Sequence, residues 1–368
     1  MREGAQGPHV VVDGRAVLAF ASNDYLGLAA DMRVTKAACD AAQRLGVGAG
    51  ASHLVGGHSR EHAELERELA DFVRPCEGAR ALYFGSGYLA NVAILTALCG
   101  RDDRIVADRL NHACLNDGAL LSRARFVRYA HADAAAASAR LAEGAAARRT
   151  LIVTDAVFSM DGDLAPLPAL LALAEAHDAL LVVDDAHGFG VLGEGRGALT
   201  HFRLASPRIV YMGTLGKAAG VSGAFVAAHE TVVETLVQGA RPYIYTTASP
   251  PLLAAALREA LTIVRTDAAR RAHLAALIAQ WRTGAARLPW RLASSPTPIQ
   301  PLIVGGDAAA LALSDGLMRE GIYVPAIRPP SVPNGTARLR VSLSAAHTAA
   351  DVERLLAALD RCAAQVAS

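Results

Sequence analysis

The sequence predicts an α/β protein: a large domain on a mostly parallel, mixed sheet, then a smaller α+β domain at the C-terminal end. Three observations carry that prediction. Short apolar runs alternate with helical segments from residue 81 to residue 228. Strand, helix, strand in that order argues for a mostly parallel sheet covered on both faces. A Pro250-Pro251 break is followed by a long helical stretch and a second, shorter mixture of strands and helices. The expected division is an N-terminal segment at 1–30, a large domain at 31–255 and a small domain at 256–368.

Residues 10–20 alternate loosely around Asp13-Gly14 and predict a small hairpin. A polar turn follows at 22–27, then a Gly-rich run at 46–58, which indicates irregular backbone or close approach to a ligand. No G-x-G-x-x-G lies between a strand and a helix there, so it is not a dinucleotide fingerprint. Residues 59–72 predict a helix, with Leu65, Leu69 and Phe72 on one face. Residues 81–84 form an apolar strand, and Gly85-Ser86-Gly87-Tyr88 turns it into a helix reaching Leu98. Further strands are expected at 104–107, 126–129, 151–154, 180–183, 209–212 and 224–228, with helices including 134–147 and 166–177. Beyond the prolines, 251–287 is helical and 288–298 is rich in Pro and Ser. Strands at 299–304, 322–324 and 338–343 and helices at 308–320 and 348–364 complete the smaller domain.

Composition excludes several function classes. A net charge of +1 gives no electrostatic footprint for nucleic acid or an anionic membrane. No run approaches the ~20 apolar residues of a membrane span. Residues 1–14 lack the apolar centre of a signal peptide. Five scattered cysteines without metal-ligand spacing read as thiols in a reducing compartment, so the expected location is the cytoplasm and no metal site is expected.

Of 36 Lys and Arg residues only Lys36 and Lys217 are lysines. Arg serves as well for surface charge, but it stays protonated and cannot form an imine. Lys217 follows an apolar run in a Gly-flanked loop, so it is either a surface lysine or an amine that does chemistry. Its neighbours point to pyridoxal phosphate, which needs a lysine, an acid at the ring nitrogen, a phosphate cradle and a group against the ring face. Asp184 ends an apolar strand, where open α/β sheets place ligands, or it caps the next turn. At ~4 Å and an effective dielectric of ~20, a carboxylate attracts a ring cation by about 4 kcal/mol before desolvation. Asp185 would point elsewhere. His187, three residues on, suits the ring hydroxyl; an Asp-Asp-x-His metal set would need ligands from afar. Gly87 and Tyr88, opening a helix, offer free amides and a positive dipole end to a phosphate, with Thr214 adding a hydroxyl. The same glycines also suit a plain tight turn. His112, in the loop after a strand, could lie on the ring face or be a solvated loop residue, and Ser159 is a further candidate.

Taken together, TLGKAAGVSG, VVDDAHGFGVLGEGRG, FSMDGDLAPL and SNDYLGL resemble the α-oxoamine synthase family of fold-type I pyridoxal-phosphate enzymes, in the family's order and over nearly the whole chain. The resemblance implies that Lys217 carries the cofactor and then acts as base, that Asp184 pairs with the ring nitrogen and His187 with the ring hydroxyl, and that His112 stacks on the ring. It implies that Ser159, Gly87, Tyr88 and Thr214 hold cofactor oxygens. Arg328 and Ser331 match substrate positions, with Arg328 as carboxylate clamp, and Asn23 matches another. Thr246 and Thr247 match a segment that reaches the neighbouring subunit's phosphate, which implies a homodimer. GASHLVGGHSREH, IYTTASPP and AIRPPSVPNGTARLRVSLSAAH most resemble members that condense L-alanine with a pimeloyl thioester. Family members carry a further basic N-terminal helix that helps bind the acyl thioester. This sequence begins close to the hairpin, so that contact is expected from other residues or from a segment outside it.

Overall fold

The computed structural model describes residues 1–143 and 147–367. Contacts divide the chain into two compact units. One comprises Met1–Asp31, Ser159–Asp163 and Thr266–Ser368; the other comprises Met32–Phe158 and Leu164–Arg265.

The larger unit is built on a seven-stranded sheet. In spatial order its strands are Ala79–Phe84, Ala224–His229, Ile209–Thr214, Leu180–Asp184, Thr150–Asp155, Arg104–Asp108 and Arg125–Tyr129. Only Ala224–His229 runs antiparallel to its neighbours; the others are parallel. The strands Thr150–Asp155 and Ile209–Thr214 are buried along their whole length, as expected of a sheet covered on both faces. Helix Gly87–Leu98 starts where its sequence predicts, because the Ser86 hydroxyl accepts the Leu89 amide at 3.3 Å. Its residues Ala90 to Leu95 are all buried, so this helix is apolar all round rather than amphipathic. Helix Arg60–Val73 does show a one-sided pattern, with Leu65, Leu69 and Phe72 buried.

Some expectations shift. The Ala-rich helix expected over 134–147 is found at Ala134–Ala142, and positions 144–146 lie outside the described residues. The single helical stretch at 251–287 divides into Pro251–Thr266 and Ala268–Ala285. Asp267 makes the break: its carboxylate accepts the Arg270 amide at 3.0 Å and so starts a new helix. Helix Glu230–Gly239 was not anticipated; the His229 ring caps it by accepting the Thr231 amide at 3.3 Å.

The smaller unit holds two sheets. The hairpin His9–Val12 and Arg15–Ala19 pairs with Arg2–Glu3 on one side and, in parallel, with Ile322–Tyr323 on the other. The second sheet is antiparallel, in the order Arg291–Leu292, Ile299–Gly305, Ala337–Ser342, Ala326–Ile327. Helices Ala268–Ala285, Asp307–Arg319 and Ala349–Ala367 belong to the same unit. Among the described residues no helix is long and apolar enough to cross a membrane.

Candidate active site

Open α/β sheets leave a crevice at the carboxyl ends of their strands. In the larger unit this place holds a cavity of about 190 Å³. Seven residues singled out from sequence line it: Gly87, Tyr88, His112, Asp184, His187, Thr214 and Lys217. Asp184 and Thr214 are the last residues of their strands, Gly87 is the first of its helix, and His112 caps the helix Ala113–Ser122. Separate elements thus deliver a helix N-terminus, a carboxylate, two imidazoles and an amine to one space.

Lys217 Nζ lies 2.8 Å from His187 Nε2. The Asp184 carboxylate is buried and accepts two hydrogen bonds, from Asn91 Nδ2 at 2.6 Å and from the Ala186 amide at 2.9 Å. Turn capping and a role in the cavity are therefore not alternatives for Asp184; it does the first and faces the second. Asp185 points away, as expected. It accepts the Ala198 amide at 2.6 Å and the Tyr211 hydroxyl at 2.9 Å, and burial pushes its carboxyl up to about 7.

Asp155 was missed by sequence reading, yet it lines the same cavity. It sits in register with Asp184 on the adjacent parallel strand, so both side chains leave the same face. Asp155 accepts a hydrogen bond from the His112 amide at 3.2 Å. Burial, and then the neighbouring Asp184, push its carboxyl well above the usual range, while Lys217 pulls the other way. Asn91, Cys114, Ala186 and Met212 complete the lining. Asn91 carried a readable signal: it lies four residues after Gly87, on the same helix face.

These residues fit pyridoxal phosphate. The first amides of helix Gly87–Leu98 have no acceptor within the helix and suit a dianion. A side chain at Gly87 would enter that cradle, with its Cβ 3.7 Å from Met212 Cε and 3.8 Å from Thr214 Oγ1. Two buried carboxylates side by side favour a cation beside them, as a protonated ring nitrogen would be.

The other predicted residues lie elsewhere. In the smaller unit the Arg340 guanidinium donates to the Ser159 carbonyl at 2.6 Å and to Asn23 Oδ1 at 3.3 Å. Arg340, itself buried, was not singled out from sequence. Arg328 and Ser331 are exposed, in a turn closed by the Ser331 amide on the Arg328 carbonyl at 3.0 Å. Thr246 and Thr247 do not line the cavity; Thr247 is exposed and bridges to Ser52. The Gly-rich run brings His53, His58 and His62 together. His62 is committed to the protein, accepting the Ser59 amide at 3.0 Å and bonding the Ser249 carbonyl at 2.8 Å.

Comparison with known proteins agrees with this geometry. The family Aminotransferase class I and II matches residues 15–359. The chain is 59% identical over 358 residues to 8-amino-7-oxononanoate synthase of Janthinobacterium sp. (strain Marseille), covering 96% of this chain and 91% of that protein. The enzyme of the same name from Aromatoleum aromaticum is 60% identical over 359 residues, covering 97% and 92%. The chain belongs to the 8-amino-7-oxononanoate synthase family. Its fold is the fold-type I α/β architecture of pyridoxal-phosphate enzymes. A solved serine palmitoyltransferase from S. paucimobilis with bound PLP superposes with a TM-score of 0.94 at 29% identity, covering 100% of this chain and 92% of that one. The solved 8-amino-7-oxononanoate synthase from Francisella tularensis gives 0.82 at 30% identity, covering 96% and 99%. The family is one of pyridoxal-phosphate-dependent acyltransferases, and this chain is an enzyme of it.

Proposed function

We propose that this protein uses pyridoxal 5'-phosphate to condense L-alanine with a pimeloyl thioester, on CoA or a carrier protein. The products are 8-amino-7-oxononanoate, carbon dioxide and free thiol, in biotin biosynthesis. The observation that carries the reading is the convergence of Lys217, His187, Asp184 and His112 on one cavity. When bound, the cofactor supplies an electron sink for charge developing at the amino acid's α carbon.

The chain's own residues do the rest. Lys217 would hold the cofactor, and its free amine would take the α proton at Nζ. His187, 2.8 Å away, orients that amine. Asp184, fixed by two hydrogen bonds, keeps a cationic ring nitrogen paired. His112, which lines the cavity, would lie against the ring and donate to the acyl oxygen. The amides of Gly87 and Tyr88 and the Thr214 hydroxyl hold the phosphate. Ser159 holds a cofactor oxygen; Asn23, Arg328 and Ser331 bind substrate, with Arg328 taking a carboxylate.

Thr246 and Thr247 serve the phosphate site of a second copy, making the protein a homodimer. Exposed Leu54, Val55, Leu120, Leu121 and Tyr245 in the same unit support a covered face. Five cysteines without a disulfide suit the cytoplasm. The second reading is another α-oxoamine synthase, taking glycine or serine, and the TM-score of 0.94 to serine palmitoyltransferase speaks for testing it.

The test is spectroscopic. The purified protein should be yellow, and it should exchange the α proton of alanine in preference to glycine or serine. Lys217→Ala should lose both the visible band and turnover. A Lys217→Ala protein that stays yellow and active overturns the assignment.

A further inference from the structure

In helix Gly87–Leu98 the stretch from Ala90 to Leu95 is buried on every side, yet it carries Asn91 among apolar residues. Among the described residues Asn91 Oδ1 has no hydrogen-bond partner. An orphaned buried acceptor destabilises a fold, and an apolar residue of similar size would avoid it. Something other than packing therefore accounts for the amide. Asn91 Nδ2 spends one hydrogen on Asp184 Oδ2 at 2.6 Å and the other on Cys114 Sγ at 3.1 Å. The opposite amide orientation would set Oδ1 against the Asp184 carboxylate, so this orientation is the one the charges select.

The chain of bonds continues through Cys114. Its sulfur is 2.9 Å from His112 Nδ1, and its amide donates to the same nitrogen at 3.3 Å. An Nδ1 that accepts an amide hydrogen carries none of its own. The thiol must then be the donor across the short contact, and neutral His112 holds its hydrogen on Nε2. Burial keeps the Cys114 thiol protonated, pushed up to about 12, which suits a donor. At the far end, the His112 amide is anchored on Asp155 at 3.2 Å.

We propose that Asn91 and Cys114 are positioning residues that tie the aspartate at the ring nitrogen to the histidine at the ring face. Asn91 fixes the Asp184 carboxylate, and Cys114 fixes the tautomer and ring plane of His112. The inference rests on the roles given above to Asp184 and His112. It makes two groups on separate elements one hydrogen-bonded assembly, so a change at either residue acts through its partner.

The experiment measures the dissociation constant of pyridoxal 5'-phosphate by titrating the full-length apoprotein, followed by absorbance. Asn91→Ala should weaken binding about ten- to a hundredfold, the range for a lost hydrogen bond to a charged group. In an Asp184→Asn background the same change should cost less than about twofold. Cys114→Ala should weaken binding in the wild type but not beside His112→Ala. Cys114→Ser, which keeps a hydroxyl donor, should restore it. Equal losses in both backgrounds would make these residues mere filling and overturn the proposal. If Asn91→Ala does not fold, the Cys114 cycle with its serine rescue decides alone. A wild-type protein that binds no cofactor overturns the functional reading and this inference together; additive cycles in a protein that binds it overturn the inference only.

Discussion

Replacing Asp155 with Asn tests whether the site holds a stored proton. Asp155 and Asp184 end adjacent parallel strands in register, and both are buried. Strands in a sheet lie ~4.8 Å apart. Two ionised carboxylates at ~5 Å repel by about 3 kcal/mol at an effective dielectric of ~20. Desolvation adds to that. Asp184 is held by the Asn91 and Ala186 donors, and burial with the Asp184 charge outweighs the pull of Lys217 on Asp155, so the proton is placed on Asp155. Its folded-state carboxyl is thus raised above its unfolded value. Over the pH range between those two values the folded state holds a proton that the unfolded state has released. Stability is then fully present below pH ~4 and falls as pH rises, by ~1.4 kcal/mol per unit for one proton. Asn is a neutral isostere without that slope, and its carbonyl can still accept the His112 amide. Asp155→Asn apoprotein should match the wild type at pH ~4.5 and become progressively more stable than it as pH rises. Urea denaturation of both apoproteins at several pH values measures the difference. Parallel stability curves across pH 4.5–7.5 would refute the stored proton.

Two further expectations concern stability alone. Glu66 is buried and accepts the Tyr83 amide at 2.8 Å, and burial pushes its carboxyl up to about 7. Its contribution therefore fades as pH rises through 7, so Glu66→Gln should be neutral near pH 4.5 and stabilising by up to about 3 kcal/mol at pH 8 in chemical denaturation. Gly197 has φ +97°, and an added Cβ would lie 2.2 Å from Asp185 Oδ2 and 2.6 Å from the Tyr211 hydroxyl. Gly197→Ala should cost about 3 kcal/mol, against about 1 kcal/mol for Gly46→Ala, where φ is +74° and the space is open.

Much of the site was readable because its residue types are chemically irreplaceable. A lysine kept at 217 in an arginine-rich chain, and a glycine opening a helix at 87, are local choices that announce their chemistry. Asn91 was marked only by its place one turn after Gly87, and Cys114 announced nothing, because one small thiol in a helix has no local pattern. Arg340 looked like one arginine of many until its bonds to Asn23 and Ser159 were in view. The break at Asp267 was likewise hidden, since a single capping carboxylate outweighed an otherwise continuous helical pattern.

By itself the sequence determined the alternation of strands and helices, the boundaries set by Ser86 and Gly87, and which lysine to look for at the cavity. Periodicity, capping and imine chemistry are properties of neighbours along the chain. Three apolar strands end in aspartate, at 108, 155 and 184; His187 marks the last, and nothing local separates the first two. Tertiary structure decided among them. Asp108 turns its oxygens to the amides of Leu110 and Ala132, whereas Asp155 and Asp184 are set side by side facing the cavity. Which carboxylates meet depends on the order in which strands pair, and that order is fixed by burial across the whole sheet.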